Sequence, residues 1–220
     1  MSTPTPFMQC HSIVLVGNFN PLIFHPAWFK AHKLIMEKEA DEAEIEIIHR
    51  DIVIFSLEWL KLQVTSDRFL VRTTQEPYFS FLYDLVLSAF KLLIHTPVRM
   101  MGINKEMHFS MDTEEKWHNA GHVLAPKELW KDILNNPGMR KLTMQESKQR
   151  DGLQGIVTVS VEPSPVVKPG IFFSVNDHFQ VKNKKDAIGC EEILEILDKQ
   201  WKVSVERSDG MIYKLMEKLS

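Results

Sequence analysis

The chain lacks most of the features that would announce a chemistry outright. It holds two cysteines in 220 residues, Cys10 and Cys190. They stand far apart without C-x-x-C spacing, which excludes a disulfide scaffold and reads as two idle thiols in a reducing compartment. Phosphate-binding glycine loops are missing: there is no G-x-x-x-x-G-K-[ST] and no G-x-G-x-x-G, so neither a P-loop nor a dinucleotide fingerprint is present. No G-x-S-x-G marks a serine nucleophile. The most apolar stretch, Phe79–Ile94, is broken by Asp84 and Lys91 and falls short of the roughly 20 residues a membrane span needs. The opening Met1-Ser2-Thr3-Pro4-Thr5-Pro6 has neither a basic n-region nor an apolar h-region. These absences predict a soluble, cytoplasmic protein without a membrane segment. Excess positive charge is also lacking. A net charge of −3 argues against retention on nucleic acid by overall charge, while leaving room for a local basic patch.

What is present is ordinary globular material, 44% hydrophobic and 25% charged, enough to bury a core in one large domain or two fused small ones. Ser12–Phe19 reads as a buried strand, and Pro26 opens a helix that should run to about Ala40. Three strand-like stretches follow, Ile45–His49, Ile52–Val64 and Phe69–Thr73, with a turn at Thr65-Ser66-Asp67, and then a helix over Tyr78–Ile94. The pattern begins again at Thr96-Pro97. A strand spans Val98–Phe109, Asp112 and Glu115 form a capping box for a helix over Thr113–Ala120, Gly121 ends it, and Pro126 starts a short helix through Leu134. Strands are expected near Arg140–Glu146, Gly155–Val161 and Ile171–Val181, with Asp151-Gly152-Leu153-Gln154-Gly155 as a hairpin turn. From Glu191 a single long helix should reach Leu219, with Asp209-Gly210 as its one point of weakness.

The order β-α-β-β-β-α therefore occurs twice, in residues 1–95 and 96–220, the two halves packing as one globular unit. Strands arranged in meanders with helices between them give an α+β fold whose antiparallel sheet, or pair of sheets, is covered on one face. Gly17 and Gly102 would then mark equivalent strand ends. This element order resembles the TATA-binding-protein fold, a curved duplicated sheet with helices on one side and a pseudo-twofold axis. A second resemblance rests on His95-Thr96-Pro97-Val98-Arg99-Met100-Met101-Gly102-Ile103-Asn104 with Leu124-Ala125-Pro126 downstream. These residues are similar to a sporadically distributed, uncharacterised bacterial family. The resemblance implies a bacterial or phage cytoplasmic origin and brings no catalytic residue, substrate or cofactor.

Two constellations could carry function. His118 and His122 stand four apart, and His108 on the preceding strand could complete a zinc triad with an open position for water, making a metal-dependent hydrolase. Against this, Asn119 occupies the place of a zinc protease's general-base glutamate, and the counterpart histidines of the first half, His25 and His32, are spaced differently. The other constellation is a binding face. If Leu60, Leu62 and Val64 point inward, alternation turns Trp59, Lys61 and Gln63 outward, beside Arg68 and Arg72 of the next strand. Thr158, Ser160, Ser174, Asn176 and His178 would extend that face in the second half. Trp59, Lys61, Arg68 and Arg72 together suit single-stranded nucleic acid or a peptide. Further basic clusters, Arg140-Lys141 with Lys148 and Arg150, and Lys182-Asn183-Lys184-Lys185, read as charged hairpins or loops.

Met100, Met101, Met107 and Met111, taken with the apolar Phe79–Ile94 helix, suggest a self-association surface and a homodimer. The reading that results is a non-enzymatic binding or interaction module without a cofactor, partnered by protein or by a second copy. A structural subunit of a larger assembly is the remaining alternative.

Overall fold

A computed structural model describes residues 4–146, 152–184 and 187–219. The predicted positions Lys148, Arg150, Asp151 and Lys185 lie outside the described residues. The chain is α+β and forms one open antiparallel sheet of nine strands, which decides between a single sheet and two packed ones. In chain order the elements are β1 (Met8–Gly17), α1 (Pro26–Ala31), α2 (Glu37–Asp41), β2 (Glu44–His49), β3 (Ile52–Ser56), β4 (Lys61–Thr65), β5 (Arg68–Thr73) and α3 (Phe79–Leu92). There follow β6 (Val98–Ser110), α4 (Glu114–Leu124), β7 (Leu142–Gln145), β8 (Gly155–Pro163), β9 (Gly170–Gln180) and α5 (Glu191–Leu219). Across the sheet the strands run β2-β3-β4-β5-β1-β6-β9-β8-β7.

Period-two alternation sorts the two faces. Ile13 and Leu15 of β1, Leu62 and Val64 of β4, Phe69 and Val71 of β5, Met101 and Ile103 of β6, and Phe173 and Val175 of β9 are all buried on one face. Against that face lie α3, through Leu82, Leu85, Val86, Ala89 and Phe90, and α5, through Ile193, Leu197, Ile212 and Met216. The apolar helix and the methionine-rich strand therefore fill the protein's own core. Met101, Met107 and Met111 are buried there, so most of the methionine cluster is not exposed, while Met100 is half-buried and Phe81 and Leu92 of α3 stay exposed.

Several predicted boundaries shift for identifiable reasons. β1 begins at Met8 rather than Ser12 because backbone pairing with β6, from Met8↔His108 inward, extends it past its β-branched run. The helix expected from Pro26 to Ala40 splits at Lys33, whose φ of 57° interrupts the turn. There the Leu34 amide reaches back to the Phe29 carbonyl at 2.9 Å, the 6→1 closure of a left-handed helix end, and Ile35 drops into the core.

The expected strand Ile52–Val64 is two strands joined at Leu57–Leu60. Reciprocal backbone hydrogen bonds of 2.8 and 3.4 Å close this turn. Its central residues, Glu58 and Trp59, carry no glycine, proline or asparagine signal. Thr113, not Asp112, caps α4, accepting from the Lys116 amide at 3.1 Å, and α4 runs through Gly121 to Leu124. The short helix expected from Pro126 to Leu134 reduces to a single 3₁₀ turn at Lys127–Leu129. Gly102 does not end a strand: it lies inside β6, opposite Val14 and His178.

α5 also passes without a break through Gly210, and ion pairs beneath the helix hold this region to the sheet. Asp177 of β9 accepts from Arg207 at 2.8 Å and from the Ser204 hydroxyl at 2.7 Å. Lys105 of β6 lies 3.1 Å from Asp209. The side chains of Asp177 and Arg207 are only 3% and 10% exposed, so removal of either partner strands a charge in the interior. Asp177→Ala is expected to lower stability by about 3–5 kcal/mol, read from urea denaturation.

His11 is fully buried on the same face, opposite Lys105 in the β1–β6 register. Its ring lies 3.9 Å from that of Phe79. Burial, aided by the Lys105 charge, pushes its pKa down to about 3. A histidine depressed in the folded state contributes full stability above its unfolded pKa of about 6.5, and the contribution is lost as pH falls from there toward the folded value. Urea titrations should show His11 accounting for a loss of about 2 kcal/mol between about pH 7.5 and about pH 5. His11→Leu should remove that part of the slope.

Candidate functional site

Among the described residues, the other face of the sheet carries no long helix. Its surface is written by the outward-facing half of each strand: Lys61 and Gln63 on β4, Arg68, Leu70 and Arg72 on β5, and Ser12, Val14 and Val16 on β1. Beyond the centre come Gly102, Asn104 and Glu106 on β6, then Ser174, Asn176 and His178 on β9. Thr158 pairs with Asn176 and Ser160 with Ser174, so these predicted residues share one face as expected. A shallow groove of about 270 Å³ runs along the middle strands, with Arg68 and Arg72 on one side and Asn176 and His178 on the other.

Lys61, Arg68 and Arg72 all reach this face. Lys61 and Arg72 are directly opposite in register, an arrangement of like charges that costs stability unless compensated. Lys61 is answered by Glu46 at 2.5 Å. Arg72 acts electrostatically on Glu106 across the groove: burial raises the Glu106 pKa, and the Arg72 charge works against that rise. Among the described residues, the guanidinium groups of Arg68 and Arg72 enter no hydrogen bond or ion pair.

Trp59 is a correction. It sits in the turn before β4, where strand alternation does not apply, and its indole folds toward the covered side. There it is 8% exposed, donates to Glu39 Oε1 at 2.8 Å and stacks on Tyr78 with a ring separation of 5.1 Å. Trp59 is thus a core residue and offers no platform for a ligand on the open face.

Of the polar chain on the groove floor, sequence alternation gives only Asn176 and misses Asn104 and Ser12. Asn176 Nδ2 donates to Asn104 Oδ1, and Asn104 Nδ2 donates to the Ser12 hydroxyl at 3.0 Å. Gly102 makes room for it, since a Cβ there would lie 2.8 Å from the Asn176 amide nitrogen. The only further sequence signal is the two-residue offset of Gly102 and Asn104, which becomes meaningful once the β6–β9 register is known.

The histidine triad is not assembled. His108 lies on the open-face side of β6, buried with Nδ1 2.9 Å from the Ser164 hydroxyl and its ring against Phe172. Burial lowers its pKa. His118 and His122 project from α4, which packs by Ala120 into the core on the other side of the sheet. His122 Nε2 instead lies 3.2 Å from Glu128, and His118 lines a separate cleft of about 510 Å³ with Trp117, Lys127 and Lys131. Among the described residues, no group of three or more His, Cys, Asp or Glu side chains could hold a metal ion.

Both cysteines are free and buried. Burial raises the pKa of each to about 11, which keeps the thiols protonated and poorly nucleophilic. Among the described residues, no helix is long and apolar enough to cross a membrane. As exposed side chains, His118 and His122 should be dispensable for folding. The double substitution to alanine is expected to change stability by no more than about 0.5 kcal/mol per site in urea denaturation. No protein-family model matches the chain, and no curated protein matches it.

Proposed function

We propose that the chain is a non-enzymatic binding module that takes an acidic peptide segment on the open face of the sheet. The observation that carries this reading is the pair of guanidinium groups, Arg68 and Arg72, standing at the edge of the groove without a hydrogen bond or ion pair among the described residues. Arginine recognises carboxylates through paired, planar N–H donors. The Ser12–Asn104–Asn176 chain beside it offers amide and hydroxyl groups suited to a peptide backbone.

Single-stranded nucleic acid is the weaker reading, because such sites combine basic grooves with stacked aromatic platforms, and Trp59 is spent in the core. The strand order supports a duplicated architecture as well. Reading outward from β1 gives β5, β4, β3 and β2, and reading outward from β6 gives β9, β8 and β7. In this reading two related units meet about a pseudo-twofold axis between β1 and β6, as in the TATA-binding-protein arrangement, and the groove lies on that axis.

The test is fluorescence anisotropy with a labelled peptide of alternating glutamate and valine, run beside a labelled oligothymidylate. Peptide binding is expected to weaken at least about tenfold in the Arg68→Ala/Arg72→Ala variant, as for the loss of charge-assisted pairs, with an unchanged Tm. Unchanged peptide binding by the folded double variant, or preference for the oligonucleotide, overturns the proposal.

A further inference from the structure

On the covered side of the sheet, a cavity of about 580 Å³ opens between β1, β6 and α5 and is bounded outside by Pro4, Thr5 and Pro6. Among the described residues, His11 Nδ1 and Nε2 are buried without a hydrogen-bond partner and line this cavity, beside Asp209 Oδ1, which is buried and lies 3.1 Å from the Lys105 ammonium. Interiors leave few such atoms unpaired, and a concentration of them marks where something outside the chain completes the set.

The charges around the cavity do not balance. Asp209 and Glu76 supply two carboxylates. Lys105 supplies one ammonium, lying 3.1 Å from Asp209 and over the Phe79 ring at 5.1 Å. Among the described residues, Glu76 is otherwise engaged only through Gln9, whose side-chain amide donates to it at 3.2 Å. Both carboxylates bear on one further wall residue: burial raises the Tyr213 pKa, and the fields of Asp209 and Glu76 add to the rise. Between the polar groups lie Phe79, Met107 and Val205, which give the cavity an apolar side.

We propose that this cavity binds a small primary amine with a short apolar body. An ammonium group carries three donors and no acceptor, which matches a wall rich in acceptors: Asp209 Oδ1, the Glu76 carboxylate and a ring nitrogen of His11. Because the His11 ring stays neutral down to low pH, one of its nitrogens accepts. The added positive charge offsets the second carboxylate, and Phe79, Met107 and Val205 cover the apolar body. A carboxylate ligand of the same shape would face two like charges against one Lys105 and is rejected. The volume lies within the roughly 300–1,000 Å³ usual for small-molecule sites.

The experiment is isothermal titration of the intact protein with n-pentylamine, and with pentanoate and pentanol as isosteric controls. Trp201, whose ring lies 6.0 Å from that of His11, serves as a fluorescence reporter. The amine alone should bind saturably, raise Tm and change the Trp201 emission. Glu76 is exposed, so Glu76→Gln should fold normally and weaken amine affinity about tenfold, the effect of losing one charge-assisted contact. His11→Leu removes two unpaired buried atoms and should raise the Tm of the free protein while weakening the amine. Those opposite signs distinguish a ligand contact from a merely structural histidine. Absence of amine binding, preference for pentanoate, or a His11→Leu variant that gains stability and keeps full amine affinity each overturns the proposal. The peptide assay on the open face is independent of all three outcomes.

Discussion

Everything in this molecule hangs on the pairing of β1 with β6. Ten residue pairs, from Met8↔His108 to Gly17↔Val98, join strands that lie almost half the chain apart. Among the described residues, no other strand pairing connects β2–β5 with β7–β9. Closing so long a loop costs entropy before any contact is made, and the compensation is visible in what the seam buries. Ile13, Leu15, Met101 and Ile103 are nearly or wholly inaccessible, each removing apolar area from water at about 25 cal/mol per Å². Gly17 at one end packs so closely that a Cβ would lie 2.2 Å from the Pro97 carbonyl oxygen.

The same seam places the two candidate sites back to back. Adjacent residues of a strand face opposite ways, so consecutive β1 positions serve different surfaces. Ser12, opposite Asn104, belongs to the groove, while His11, opposite Lys105, belongs to the cavity behind it. One peptide unit separates a residue of the exposed polar floor from a buried ring. The helices account for the asymmetry between the faces. α3 and α5 cover one side, and Lys105–Asp209 with Arg207–Asp177 fix the register of α5 on β6 and β9. Such buried pairs are better regarded as locating devices than as sources of net stability.

Much of this was legible in the sequence wherever a local rule governs. Alternation identified the inward Leu62 and Val64 of β4 and the outward residues of β4, β5, β8 and β9, among them Lys61, Arg68 and Arg72. The same rule failed at Trp59, because a turn without turn residues interrupts the strand and the indole finds Glu39 and Tyr78 instead. Helix breakers were misleading in both directions. Gly121 and Gly210 sit inside continuous helices because a single glycine costs only about 1 kcal/mol and tertiary packing exceeds it, whereas Lys33 ends α1 without any breaker in its sequence. The Asn176–Asn104–Ser12 chain and the His11–Lys105 neighbourhood were beyond reach, since both depend on cross-strand register between distant segments.

The sheet must also end somewhere, and β2 is where it ends on one side. All six of its residues are exposed, with Ile45, Ile47 and Ile48 among the large apolar side chains left in water. A regular strand of that composition would be a template for the next chain to add to. The register shift between Ile45 and Ile47 interrupts the ladder within the edge itself, and Glu44 and Glu46 stand beside it. The irregularity therefore acts as a terminator, making a sheet with no closing partner finite, at the expense of some regular pairing inside the molecule.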